Sequence, residues 1–187
     1  MDTVSIVNQK GGVGKTTTTI CLAAALSKLG YTTLVVDLDP QMNGTKWMLG
    51  RELEEDEASV LDAIITAGDQ DQSSSDWPLA RLIEPSDLGF DFVPAHADLA
   101  NVEGEIGEKP SRPYLLRERV KEVEEKHQFG YLDEVDAHNA SDGAYDLCLV
   151  DCPPSLGLLV LQALTASDGL LVPVSVDGMS MQALSQL

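Results

Sequence analysis

Short apolar runs alternate along this chain with longer stretches of helical spacing. Residues 4–7 (VSIV) form a run that ends in a glycine-rich turn. Residues 16–29 then carry alanine and leucine at helical spacing up to Gly30, which predicts strand, loop and helix in succession. Thr33–Asp37 (TLVVD) is β-branched and apolar on both faces, as a buried parallel strand requires, and it completes a βαβ unit. The pattern returns at 145–151 (YDLCLVD), followed by a helix at 157–167, a strand at 169–174 and the opening of a further helix at 179–187.

The middle of the chain is less periodic. Residues 60–65 read as a helical turn or two, 68–76 (GDQDQSSSD) as a polar loop and 88–93 as a strand. Residues 115–126 are charged and helix-prone, whereas 127–144 lack a period and read as an exposed insertion. Strands alternating with helices predict an α/β fold, a mostly parallel sheet with right-handed crossovers and helices on both faces. One domain is expected over 1–187, with insertions near 66–77 and 127–144. The last helix has no stop signal before Leu187, so the chain reads as the N-terminal part of a longer domain, truncated at its C-terminus.

Composition changes the picture in one respect. With 43% hydrophobic residues in 187 the chain can bury a core, but 12 Lys and Arg stand against 31 Asp and Glu, a net charge of −19. The acids are dispersed rather than gathered in a terminal block, which favours a halophilic cytoplasm, where salt screens repulsion, over an acidic tail for basic partners. Cys21, Cys148 and Cys152 fit neither a disulfide framework nor a CxxC site and read as reduced, mostly small core residues. The N-terminus lacks a signal-peptide pattern and no run approaches the ~18 apolar residues of a membrane span, so the chain is expected to be cytoplasmic.

Candidate chemistry sits at the strand ends. A phosphate-binding loop of the form G-x-x-x-x-G-K-[ST] would need glycine at position 9, where this chain has Gln9, followed by Lys10, Gly11, Gly12, Val13, Gly14, Lys15, Thr16 and Thr17. The glycines let backbone amides turn inward on phosphate oxygens, Lys15 reaches the β and γ phosphates, and the Thr16 hydroxyl can ligate Mg²⁺. A glycine turn with a solvated lysine is the bland alternative, and the strand before and helix after the loop argue against it. Asp37 and Asp39, with Pro40, follow the second strand. Either acid alone could simply cap a turn, but two carboxylates after the strand that follows such a loop fit an active site. Asp151 ends a third apolar strand, as an acid holding Mg²⁺ through water does, and Pro153 and Pro154 stop that strand in a loop. Cys152 reads as structural, and His96 and His127 have no partners at a meaningful spacing.

KGGVGKTT resembles the signature of the deviant Walker ATPases, the class containing ParA, Soj, MinD and the nitrogenase iron protein. The resemblance extends to Asp37–Gln41 as D-x-D-P-Q, to residues 151–155 as D-x-P-P-S, to residues 94–99 as P-A-x-x-x-L, and to Val172-Pro173-Val174 with 181–184 beyond it. It implies a P-loop architecture, ATP and Mg²⁺ as ligands, slow hydrolysis and an ATP-dependent homodimer. Lys10 would cross to the partner's nucleotide, Asp39 would orient the attacking water, and Asp37 would lie near the metal. ATP rather than GTP comes from the resemblance alone. The partitioning branch, to which PQMN and DCPPS are similar, further implies a ParB-like centromere-binding partner and non-specific DNA. A net charge of −19 without clustered Lys or Arg runs against DNA. Two other classes stay open. A MinD-like positioning ATPase would need a C-terminal amphipathic helix, and a metallocluster carrier would need paired cysteines. A non-hydrolysing binding module is the plainest alternative.

Overall fold

The computed structural model describes residues 1–51, 53–54, 56–67, 77–108, 110–129 and 144–175. In chain order the regular elements are β1 (Asp2–Ile6), α1 (Lys15–Lys28), β2 (Thr33–Asp37), α2 (Asn43–Leu49), α3 (Val60–Thr66), β3 (Glu84–Pro85), β4 (Asp91–Val93), α4 (Val102–Ile106), α5 (Leu115–Phe129), β5 (Leu147–Asp151), α6 (Leu158–Ala166) and β6 (Gly169–Leu171). Short 3-10 turns precede β3, α4 and α5 at Leu79–Leu82, Ala97–Asn101 and Arg112–Tyr114.

The six strands form one sheet in the order β3-β4-β2-β5-β1-β6. Every neighbouring pair is parallel except β3 with β4. Because the side-chain period of a strand is two, the central strands bury both faces, which is why their sequences read as unbroken apolar runs. Leu34 and Val36 of β2, with Cys148 and Val150 of β5, face a large core closed by α3, α4, α5 and α6. Val35, Leu149 and Ile6 point the other way and pack with Ile20 and Ala23 of α1 and with Phe90 and Phe92. Asp37 pairs in register with Asp151, and Asp151 pairs with Ile6, so both acidic strand ends arrive beside the start of the glycine loop. Open parallel sheets bind ligands at this carboxyl edge.

Several elements differ from the sequence expectation. β1 begins at Asp2 and β4 only at Asp91, because Leu88 and Gly89 lie in a hairpin turn, with Gly89 at φ 87° and its amide donating to the Ser86 carbonyl at 3.2 Å. That hairpin adds the antiparallel edge strand β3. β6 stops at Leu171 instead of 174, and α5 runs on to Phe129 rather than ending at 126. Of the expected loop, insertion and terminal helix, 68–76, 130–143 and 176–187 lie outside the described residues. Buried Arg119 ties α5 to the end of α3. Its Nε donates to the Ala63 carbonyl at 2.8 Å and a terminal nitrogen to Thr66 Oγ1 at 3.0 Å, a use of burial that only a multiply hydrogen-bonded cation withstands.

Candidate nucleotide site

The glycine loop leaves β1 after Ile6 and enters α1 at Lys15. Gly12 (φ 73°) and Gly14 (φ 87°) take left-handed backbone conformations, which fixes glycine at both places. Gly14 is the N-cap of α1, and no side chain caps that helix. A Cβ built on Gly11, Gly12 or Gly14 would meet nothing within 4 Å, so the concavity is open on the side where an anion would sit against the helix N-terminus. Lys15 is 7% exposed, Thr16 is half-buried and Thr17 and Gly11 are exposed. Lys10 and Val13 are half-buried, and the Lys10 Nζ donates to Ser175 Oγ at 3.2 Å within the same chain.

The carboxylates stand directly below. Asp37 is fully buried. Its Oδ1 accepts from the Asp39 amide at 3.0 Å, and its Oδ2 accepts from the Thr45 amide at 2.7 Å and hydroxyl at 2.8 Å. Thr45 Oγ1 in turn accepts from the Ala95 amide at 2.8 Å. Asp37 thus holds the start of α2 and the 94–95 segment to the strand end, and it lies close enough to Gly44 and Thr16 that a Cβ on Gly44 would come within 2.8 Å of its Oδ2. Asp39 is 7% exposed, and its Oδ1 accepts from the Gln41 amide at 3.0 Å. Asp151 is 2% exposed. Its Oδ1 accepts from Thr19 Oγ1 at 3.3 Å, while its Oδ2 has no hydrogen-bond partner among the described residues.

Two neighbouring buried acids cannot comfortably both ionise. Burial pushes the Asp37 carboxyl up to about 6, against the pull of its hydrogen bonds from Asp39 and Thr45. Burial first, and then repulsion from Asp37, pushes Asp151 up to about 7, opposed by hydrogen bonds from Thr16 and Thr19. An orphaned oxygen on Asp151, next to the Thr16 hydroxyl and the rim of an anion cradle, is what a magnesium ion would complete. Among the described residues no three His, Cys, Asp or Glu side chains gather to hold a metal.

The raised acids give the chain without metal or nucleotide a pH signature. The folded chain keeps protons that the unfolded chain has released above its ordinary carboxylate value of 3.8, so stability falls as pH rises from about 4 to about 7. Asp151→Asn is expected to raise the melting temperature at pH 7.5 by on the order of 5 °C and to flatten the pH slope. Differential scanning calorimetry at several pH values checks this, and a variant melting no higher than the parent would contradict it.

Other candidates settle into structural places. His96 Nδ1 accepts from the Asp98 amide at 3.2 Å and caps the Ala97–Asn101 turn. Burial pushes the Cys148 and Cys152 thiols up to about 12, which leaves neither as a thiolate, and Cys21 is exposed on α1 rather than in the core. A cavity of about 640 Å³ opens beside Asp39 between Pro40, Gln41, α4 and the 153–159 segment, with Glu103 Oε1 accepting from the Leu158 amide at 3.4 Å where α6 begins. Sequence reasoning passed over Asn8, Thr19 and Thr45. Thr19 could have been found four residues after Lys15 on the same face of α1, whereas Thr45 carries no such local signal.

A family model described as an AAA domain matches residues 1–187. The chromosome partitioning protein ParA of Myxococcus xanthus is 35% identical over 185 residues, covering 98% of this chain and 56% of that protein. The sporulation initiation inhibitor protein Soj of Bacillus subtilis is 37% identical over 184 residues, covering 98% of this chain and 62% of Soj. The chain therefore spans between 56% and 62% of the length of these relatives. Among solved structures, cobyrinic acid a,c-diamide synthase from Mycobacterium smegmatis, with an ATP analog and magnesium bound, superposes with a TM-score of 0.76 at 29% identity, over 100% of this chain and 68% of that one. Apo McdA from Cyanothece shares the fold, with a TM-score of 0.77 at 24% identity over 100% of this chain and 63% of that one.

Proposed function

We propose that this chain, which belongs to the ParA/Soj family of P-loop proteins, binds MgATP and hydrolyses it slowly as a dimerisation switch in chromosome or plasmid partitioning. The observation that carries the reading is the meeting of the glycine loop, the orphaned Asp151 oxygen and the Asp37–Asp39 pair at one sheet edge.

Residues Lys10 to Thr17 cradle the phosphates through inward amides at Gly11, Gly12, Val13 and Gly14, with the Thr17 amide at the first turn of α1. Lys15 neutralises the β and γ phosphates from a nearly buried position, which strengthens its hold. The Thr16 hydroxyl and Asp151, the latter through water and with Asp37 beside it, would hold a magnesium ion, which would supply charge neutralisation at the phosphates. Asp39 is oriented by the Gln41 amide on Oδ1, so that its other oxygen accepts a hydrogen bond from the attacking water. Lys10 completes the site in trans, its ammonium reaching the nucleotide of a second copy, in the way a finger residue stabilises developing charge.

A ParB-like centromere-binding protein and DNA are the partners such a switch would serve, with the charge of −19 opposing any broad DNA surface on these residues. The same dispersed charge accords with a salt-rich cytoplasm, and it sets molar KCl as the working buffer. Among the described residues no helix is long and apolar enough to cross a membrane. Because Lys10 acts between copies, ATP turnover per chain should rise with protein concentration through the dimerisation range. Phosphate release measured across a hundredfold dilution series tests this, and a constant rate per chain would sink the trans mechanism.

A further inference from the structure

One side chain outside the phosphate contacts joins the loop to the edge of the sheet. Asn8 is 6% exposed and uses both halves of its amide. Oδ1 accepts from the Lys10 amide at 2.9 Å, and Nδ2 donates to the Pro173 carbonyl at 2.8 Å. Pro173 lies just past β6, two residues before Ser175, whose hydroxyl accepts from Lys10 Nζ at 3.2 Å. Lys10 is therefore held twice by the same short segment, its backbone through Asn8 and its ammonium through Ser175. That segment is itself fixed to the loop's root, since the Val7 amide donates to the Leu171 carbonyl at 3.0 Å and β6 pairs with β1.

We infer that Asn8 and Ser175 are positioning residues for Lys10: Asn8 sets the path of the loop backbone, and Ser175 parks the ammonium in its own chain until a nucleotide-bound partner takes it. The inference rests on the proposed bridging role of Lys10. A buried amide that both donates and accepts can clamp two backbones at a fixed distance, which few other side chains of this size can do. The bond from the half-buried ammonium to the Ser175 hydroxyl adds orientation without adding a charge, so that contact can exchange. Transfer of Lys10 would then break its bond to Ser175, so the segment just beyond β6, which Asn8 also grips at Pro173, responds to the state of the loop.

The test uses the full-length protein in molar KCl. Without nucleotide, Asn8→Ala should speed amide hydrogen exchange at Lys10 at least about tenfold, whereas Ser175→Ala should leave that amide protected. With MgATP, Ser175→Ala should lower the ATP concentration for half-dimerisation about threefold and leave monomer affinity for ATP unchanged, and Ser175→Thr should restore the parent midpoint. A parent-like midpoint for Ser175→Ala, with Lys10→Ala unable to dimerise, would overturn the latch and leave the bridge standing. Dimerisation of Lys10→Ala at the parent midpoint would instead remove the bridging role on which the latch depends. Should Asn8→Ala fail to fold, the Ser175 pair decides the matter alone.

Discussion

Replacing Lys15 by alanine is expected to abolish nucleotide binding, raising the dissociation constant for MgATP by at least about 100-fold, as each charge-assisted contact to phosphate contributes roughly 1.5–3 kcal/mol. Among the described residues of the loop, Lys15 has no substitute in place. It is 7% exposed at the first position of α1, below a loop whose other positive side chain, Lys10, points to Ser175 instead. Lys10→Ala should leave monomer affinity within a few-fold of the parent. Titration of a fluorescent ATP analogue measures both. Equal loss in the two variants would show that Lys10 binds nucleotide in its own chain, and retained affinity in Lys15→Ala would remove the loop from the site altogether.

The second large effect belongs to Asp39. Asp39→Asn should keep an oxygen for the Gln41 amide yet lose the acceptor aimed at the attacking water, so hydrolysis should fall by about 100- to 1000-fold while the closed dimer still forms. The variant would therefore accumulate as an ATP-bound dimer. Asp37→Asn should behave differently, because Asp37 accepts from the Asp39 and Thr45 amides and the Thr45 hydroxyl, and an amide in its place disturbs α2 as well as the metal surroundings. Single-turnover phosphate release separates the two. Parent-like hydrolysis in Asp39→Asn would rule out its role with water.

The strands that build the site were legible because burial on both faces leaves an unmistakable apolar run. β2 occupies Thr33–Asp37 as its sequence reads, and both β2 and β5 end on the acid that closes the run. The glycine loop was legible for a different reason, its unusual backbone demanding glycine where Gly12 and Gly14 stand. What escaped depends on contacts distant in sequence. α2 has no side-chain cap and starts after Met42 in a left-handed conformation, so no start signal precedes it. Thr45 gains its place only when the chain folds back on Asp37, and Lys10 meets Ser175 across 165 residues. Of the three cysteines, expected to be mostly core residues, Cys148 and Cys152 are buried and Cys21 falls on the exposed side of α1, because alanines and Ile20 already fill the face toward the sheet.

The dimer switch is tested most directly by light scattering coupled to size-exclusion chromatography on the full-length protein in molar KCl, with and without MgATP, alongside Lys10→Ala. The proposed mechanism requires a monomer without nucleotide, a dimer with MgATP, and a Lys10→Ala variant that binds ATP yet remains monomeric. A parent chain that stays monomeric with saturating MgATP, or a Lys10→Ala variant that dimerises as the parent does, would contradict it.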